Sequence, residues 1–343
     1  MAYTIRVAGC DIVFSCASGS TILDAARDAG YAMPYSCRNG VCGNCRGRIC
    51  AGLIDVPAVL DGITEAERAG GYTLFCQAKP CSDLEIAPRE IQRIDPDARR
   101  QVSAKIYRIE RPADDVALLQ LRFAAGTRVR FRAGQYLQVL LEDGARRCFS
   151  MANPPQQSDG AHLHIRVVPG GRFSGEVLPR LTAGMTLRVE LPYGDFFLRD
   201  ASGKPAIFVA SGTGFAPIKS ILEDAFRRGV KRAMTLYWGA RKRKDLYLMP
   251  LPQKWAVQQP AFRFVPVLSE EGPKDGWQGR TGLVHRAVMQ DFPNLAGHEV
   301  YACGVPAMIT AARREFEGQR ALPTEDFHCD AFVTPADVVN PRA

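Results

Sequence analysis

No stretch of the 343-residue chain approaches the ~18 consecutive apolar residues that a membrane-spanning helix needs, so no membrane association is expected. Residues 1–12 show no basic segment followed by a long apolar run. No secretory signal is therefore expected, and a cytoplasmic location is. Internal repeats and low-complexity tracts are absent, which argues against a solenoid or a tail. With 46% hydrophobic and 23% charged residues, a disordered or collagen-like chain is excluded, and the length suits two or three domains.

Two features are present in excess. Net charge is +8, placed unevenly: residues 1–92 carry 8 Lys and Arg against 10 Asp and Glu, so the basic excess lies beyond them. The basic residues are scattered and come with no nucleic-acid motif. Phosphate-rich cofactors explain them better than nucleic acid, which is not expected as a partner. The second excess is cysteine. Of 11 cysteines, 8 precede residue 82. In a long chain without an export signal, such a cluster points to metal binding rather than to disulfides.

The organisation follows from changes in rhythm. Residues 3–7 and 11–14 read as a strand pair around Gly9. Residues 20–29 read as a short helix with Ser20 or Thr21 as N-cap and Gly30 as stop, and residues 46–50 as a strand. Residues 1–92 form one compact unit, and residues 93–101, charged and aperiodic, a linker. Residues 102–200 alternate in short apolar runs punctuated by Gly, Pro and Asp, the pattern of an antiparallel barrel. From 203 to 343 buried strands alternate with helices. One helix starts near Pro217 and stops at Gly229, so a doubly wound parallel sheet is expected.

Cys37, Cys42 and Cys45 have the spacing C-x4-C-x2-C, and Cys76 follows. This is the plant-type [2Fe-2S] spacing. Two sulfide-bridged irons need four soft anionic ligands, and a tight loop must also aim backbone N–H groups at them. Gly40 and Gly43 allow the dihedrals this requires. Zinc is disfavoured because only one C-x2-C is present. Cys81 competes with Cys76, which is preferred because Leu74 and Phe75 before it read as a strand. Cys10, Cys16, Cys50 and Cys81 are expected to be ordinary buried thiols.

Three further motifs lie in order. Arg147, Phe149 and Ser150 sit at alternating and terminal positions of one run; His164 and Arg166 follow, then Gly171, Arg172, Phe173 and Ser174. An Arg can hold a pyrophosphate, and an aromatic two residues on shares its strand face and can lie against a flavin ring. A serine hydroxyl can meet the flavin edge, Gly171 lets backbone approach the pyrophosphate, and Ser174 can cap a helix beginning there. FAD is favoured over FMN because Arg147 and the glycine turn suit a diphosphate. Without a ligand, the same residues would be a hairpin and a helix cap.

Gly212, Thr213, Gly214 and Pro217 lie between a buried strand and a helix, where open α/β sheets bind ligands. The third glycine of a generic dinucleotide fingerprint is missing. Cys303 and Gly304 end a later strand. Arg241 and Arg243 follow the strand at residues 234–240, where the nucleotide's 2′ end should lie. A basic turn there favours NADPH, although Arg241 alone also suits NADH and a solvated turn is the plainer alternative. Phe332, near the chain end, could shield a flavin or be a core residue.

Taken together, the stretches PYSCRNGVCGNC, FSMANPP, VPGGRFS and GTGFAPIKS resemble the reductase components of bacterial multicomponent aromatic-ring oxygenases. The resemblance implies an N-terminal β-grasp ferredoxin, an antiparallel FAD barrel and a doubly wound NAD(P) domain. It implies hydride transfer from NADPH or NADH to FAD near Ser150, Cys303 and Phe332, then single-electron transfer to the [2Fe-2S] cluster. The implied partner is a terminal Rieske-type oxygenase, met transiently through the more acidic ferredoxin face. Reductases of di-iron monooxygenases and of deoxysugar-forming enzymes share this domain order, and a passive carrier with a degenerate nucleotide site is the remaining alternative. One departure is that Cys148 and Phe149 stand where Ser and Tyr are more usual. Stacking survives, and a tyrosine hydroxyl bond to the flavin does not.

Overall fold

The computed structural model describes residues 1–95 and 99–333. It divides into two compact units, Met1–Ala98 and Arg99–Ala343.

The first unit is a five-stranded sheet in the order Val13–Ala17, Ala2–Val7, Leu84–Pro88, Arg46–Ala51, Tyr72–Leu74. Ala2–Val7 and Leu84–Pro88 run parallel and the other neighbours antiparallel, with a helix over one face; this is the β-grasp arrangement. That helix is Ile22–Asp28. Thr21 caps it by accepting from the Asp24 N–H, and Gly30 follows at φ +84°. Its inner residues Ile22, Leu23, Ala25 and Ala26 pack with Ile5, Phe14, Leu74 and Ile86. The second strand begins at Val13, not at Asp11 as the sequence predicts. Residues 8–12 are consumed by the turn, with Gly9 at φ +79° and the Val7 N–H bonded to the Ile12 carbonyl. Gln92–Arg93 pairs with Tyr31–Ala32 at the far end of the unit.

The second unit opens with an antiparallel sheet ordered Arg146–Ser150, Tyr136–Leu140, Thr186–Tyr193, Arg100–Ala113, Val116–Phe123, Gly160–Arg166. A bridge between Met151 and Leu163 joins its two edges and closes the barrel. Leu119, Leu121, Leu137, Val139, Leu163 and Val189 fill it.

The sheet that follows is parallel throughout, in the order Arg280–Thr281, Phe262–Leu268, Met234–Ala240, Ala206–Ser211, Glu299–Gly304, Phe327–Ala331. The chain winds outward one way from Ala206–Ser211 and then returns to wind the other way. The switch point therefore lies between Ala206–Ser211 and Glu299–Gly304. Barrel residues Val116, Ala133, Phe196 and Leu198 share one buried core with Phe208, Phe215 and Trp238 of this sheet and its helix. Among the described residues, no helix is long and apolar enough to cross a membrane.

Candidate functional site

In the first unit, the thiols meet as two pairs. Cys37 is hydrogen-bonded with Cys42, and Cys45 with Cys76. The Cys37 sulfur also accepts from the backbone N–H groups of Cys42 at 3.3 Å and Asn39 at 3.4 Å, and a Gly40 N–H serves Cys76. The loop achieves this with Arg38, Gly40 and Gly43 all at positive φ. Arg38 is held there by an ion pair to Asp24 and by Gln77, whose side chain donates to the Arg38 carbonyl at 2.9 Å. Gly62 packs so closely beneath the loop that a Cβ would sit 2.7 Å from the Gly43 nitrogen. The hydrogen bond with Cys42, together with burial, pushes the Cys37 thiol well above the ordinary range. A metal centre supplies the positive charge such thiolates need. Among the described residues, no group of three His, Cys, Asp or Glu side chains closes on a single ion. Two thiol pairs that feel one another's charge suit a two-iron centre.

Of the remaining thiols in this unit, Cys16 is buried, whereas Cys10, Cys50 and Cys81 are exposed, which corrects the expectation for those three. Cys10 and Cys81 lie in bends, and Cys50 lies where Arg46–Ala51 shifts register against Leu84–Pro88. Cys81 is thereby remote in character from the buried Cys76.

On the barrel, Phe149 lies against Phe173 with ring centroids 4.8 Å apart. The adjoining Ser150 is buried, and its hydroxyl has no hydrogen-bond partner among the described residues. The Nε of Arg166 is likewise buried and unpartnered, while its Nη1 meets Asp115 at 3.4 Å. Buried polar atoms without partners are rare and costly, so these two mark where a polar ligand edge is missing. They fit a flavin. Arg147 is half-buried, its guanidinium donating to the Arg146 carbonyl at 2.8 Å. Arg172 pairs with Asp143. A Cβ at Gly171 would lie 2.6 Å from the Ser174 hydroxyl and 2.8 Å from the Val168 carbonyl, so the turn itself demands glycine.

One expectation is corrected here. Ser174 does not cap a helix. The turn Arg172–Val177 is preceded by Gly171, and Ser174 lies inside it, its hydroxyl exchanging bonds with the Val168 N–H and carbonyl at 3.0 and 3.2 Å. His164 faces the neighbouring sheet, where its Nδ1 meets the Tyr247 hydroxyl at 3.0 Å and burial lowers its pKa well below the ordinary value. Its neutral ring packs on Tyr247 and Phe215. Tyr247→Phe leaves that nitrogen unsatisfied and is expected to cost about 1–3 kcal/mol of stability, read by denaturant melts of the flavin-bound protein.

The nucleotide motifs gather on one sheet edge because the parallel strands end level: Ala210 lies opposite Cys303, and Ser211 opposite Gly239. The turn Gly212–Gly214 runs straight into the helix Phe215–Arg227, which starts two residues before Pro217. Thr213 is buried within it. A Cβ at Gly214 would stand 2.1 Å from the Cys303 carbonyl, and one at Gly304 2.0 Å from the Ser211 hydroxyl. Cys303 is fully buried, and burial raises its thiol pKa, so it remains protonated. The Phe332 N–H donates to the Gly304 carbonyl at 2.8 Å, and its ring packs on the shared core. Arg241 and Arg243 are exposed on the same edge. The Arg243 N–H donates to Glu271 at 2.8 Å, and the Arg241 carbonyl accepts from the Glu270 N–H.

Sequence reasoning missed several residues here. Trp238 donates its indole N–H to the Gly212 carbonyl at 3.0 Å and stacks on Phe215 at 4.0 Å. Ser211 accepts from the Val305 N–H at 3.0 Å, tying the two strand ends together. Tyr247 reaches the barrel through His164, and Asp115 pairs with Arg166 within the barrel. Trp238 lay in a run that read simply as a buried strand, and nothing local distinguished the others.

A thiol-rich β-grasp unit, a barrel with an unpartnered serine and a nucleotide-binding sheet define an electron-transfer reductase that uses NAD(P)H, FAD and a [2Fe-2S] cluster. Family comparison agrees in all three parts. Residues 5–81 match the 2Fe-2S iron-sulfur cluster binding domain, 103–198 the oxidoreductase FAD-binding domain and 208–314 the oxidoreductase NAD-binding domain. A terephthalate 1,2-dioxygenase reductase component of Comamonas sp. is 43% identical over 97% of this chain and 98% of its own. The CDP-6-deoxy-L-threo-D-glycero-4-hexulose-3-dehydrase reductase of Yersinia pseudotuberculosis is 36% identical over 97% and 99%. In the crystal, the cytochrome P450 reductase of Amycolatopsis superposes with a TM-score of 0.74 at 32% identity, over 97% of this chain and 99% of that one. The chain belongs to the family of ferredoxin-fused flavin reductases to which the terephthalate dioxygenase reductase components belong.

Proposed function

We propose that this reductase delivers electrons to the terminal Rieske-type oxygenase of an aromatic-ring dioxygenase, through a transient contact in the cytoplasm. The unpartnered Ser150 hydroxyl beside Phe149, on the same unit as the nucleotide edge, carries the electron route. The choice of partner is supported by the near full-length likeness to the terephthalate dioxygenase component.

The residues divide the work as follows. Cys37, Cys42, Cys45 and Cys76 would hold the [2Fe-2S] cluster. Arg147 and the turn from Gly171 through Arg172, Phe173 and Ser174 take the FAD pyrophosphate, with Arg166 nearby. Phe149 lies against the flavin ring, and Ser150 meets its edge. The backbone of Gly212, Thr213 and Gly214, with Pro217 opening the helix, takes the dinucleotide. Cys303, Gly304 and Phe332 border the place where the nicotinamide must reach the flavin. The protonated, buried Cys303 keeps charge out of that place. Bound there, FAD and the cluster would supply hydride acceptance and single-electron transfer, and the chain would supply their orientation.

The test is anaerobic mixing of the purified protein with NADH or NADPH. Bleaching of the cluster's visible bands, reversed on adding a Rieske oxygenase, is expected. Cluster-replete, flavin-bound protein inert to both nucleotides would refute the electron route. Re-oxidation only by a di-iron or deoxysugar-forming enzyme would move the partner, a reading supported by the 36% identity noted above.

Arg241 and Arg243 are taken to read a 2′-phosphate. Changing both to Ala is expected to lower the NADPH to NADH ratio of kcat/KM by roughly tenfold, the scale of one charge-assisted bond. An unchanged ratio would leave these arginines as a solvated turn.

A further inference from the structure

The helix Phe215–Arg227 leaves the nucleotide turn and reaches back to the barrel through three side chains. Ser220 is fully buried and donates its hydroxyl to the Asn153 carbonyl at 2.6 Å. Lys219 Nζ donates to the Ala152 carbonyl at 3.1 Å and meets Glu223 at 2.9 Å. Asp224 accepts from the Gln156 amide at 2.7 Å and also pairs with Arg228. At about 100° per residue, positions 219, 220 and 224 share one broad helix face.

The segment they grip follows Ser150 directly. Met151 closes the barrel against Leu163. Asn153 is fully buried and committed on every side: its amide donates to the carbonyls of Gln157 and Gly160, and its oxygen accepts from the His162 N–H. It cannot move without disturbing the barrel closure. Thus the helix that carries the nucleotide turn at one end is bolted, along its length, to the residues beside the flavin serine.

The geometry points to Ser220 and Lys219 as positioning residues for hydride transfer, fixing the nucleotide turn at a set distance from Ser150. This rests on the assignment of Ser150 to the flavin edge and of the glycine turn to the nucleotide. Hydride transfer is steeply sensitive to donor–acceptor separation, and a misplacement of about 1 Å can cost on the order of 100-fold in rate. The two bonds to the Ala152 and Asn153 carbonyls lie in a water-poor interface, where a lost donor is not replaced by solvent.

The experiment is stopped-flow reduction of the flavin by NAD(P)H and by its 4-deuterated form, in the full-length holoprotein. For Ser220→Ala and Lys219→Met, the flavin reduction rate is expected to fall about tenfold. The primary deuterium isotope effect should rise, with flavin content and nucleotide affinity within twofold of wild type. Lys219→Arg keeps a donor for the Ala152 carbonyl and should restore most of the rate. If Ser220→Ala folds poorly, the exposed Gln156→Leu loosens the same grip at its rim and should raise the isotope effect alone. Flavin-replete variants with wild-type rates and isotope effects would overturn the positioning role. A mere stability role would lower the melting temperature and leave the isotope effect untouched. Wild-type protein that neither nucleotide reduces would instead remove the parent assignment, and the positioning role with it.

Discussion

Replacing Cys76 by serine is expected to strip the protein of its cluster while leaving the flavin in place. Cys76 is buried and paired with Cys45, whereas Cys81, five residues on, is exposed. A serine hydroxyl is a harder and far weaker acid than a thiol, so one iron loses half of its protein ligands. Iron should fall from about two atoms per chain toward zero, with loss of the visible charge-transfer bands. Reduction of a cluster-dependent acceptor should vanish with it. The flavin barrel and nucleotide sheet belong to the other compact unit. NAD(P)H-driven reduction of ferricyanide, which needs only the flavin, should therefore continue at near wild-type rate. Cys81→Ser, Cys10→Ser and Cys50→Ser serve as controls and should retain iron. Full iron in Cys76→Ser, or iron lost in Cys81→Ser, would reassign the fourth ligand.

The second large effect is expected at Gly214. Any side chain there meets the Cys303 carbonyl at 2.1 Å, a separation real Cβ atoms do not show. The obstacle is backbone in the middle of a parallel sheet, so it cannot swing away as a flexible side chain would. Gly214→Ala must push the nucleotide turn off the end of Glu299–Gly304, and with it the Trp238 bond to the Gly212 carbonyl. A displacement near 1 Å at a hydride donor site costs on the order of 100-fold, so kcat/KM for NAD(P)H should fall by about that much. Flavin and cluster content should be unaffected, because dithionite would still reduce both. A loss of less than about threefold would mean that the turn does not hold the dinucleotide. Gly212→Ala makes a milder comparison: φ is +51° there, and the nearest obstacle is the movable Arg166 side chain at 2.9 Å.

The sequence disclosed most where the chemistry is local. Three cysteines and two glycines within nine residues define a loop whatever surrounds it, and the structure closes that loop with Cys76 from a neighbouring strand end. The strand rhythm of the barrel and the alternating strands and helices of the sheet were equally visible, because burial on one face or two imprints a period on the chain. What failed or stayed open depended on direction. His164 alternates correctly along its strand, but the alternation cannot say whether the outer face meets solvent, a flavin or Tyr247. Ser174 carries a capping residue type one turn too late to cap. The exposed Cys10, Cys50 and Cys81 were misjudged because cysteine is usually buried, and a small unit has little interior to offer. The grip of Ser220 on Asn153 spans 67 residues and leaves no local trace.

The shared core of barrel and nucleotide sheet carries a consequence for how such chains are assembled in evolution. Val116, Ala133, Phe196 and Leu198 would be laid bare if the sheet were removed, and Phe208, Phe215 and Trp238 if the barrel were. Neither half can be traded for a foreign one without a matching interior surface. A gene that exchanges its electron outlet must therefore recombine near residue 98, where the compact units part, and must inherit barrel and sheet as a single heritable block.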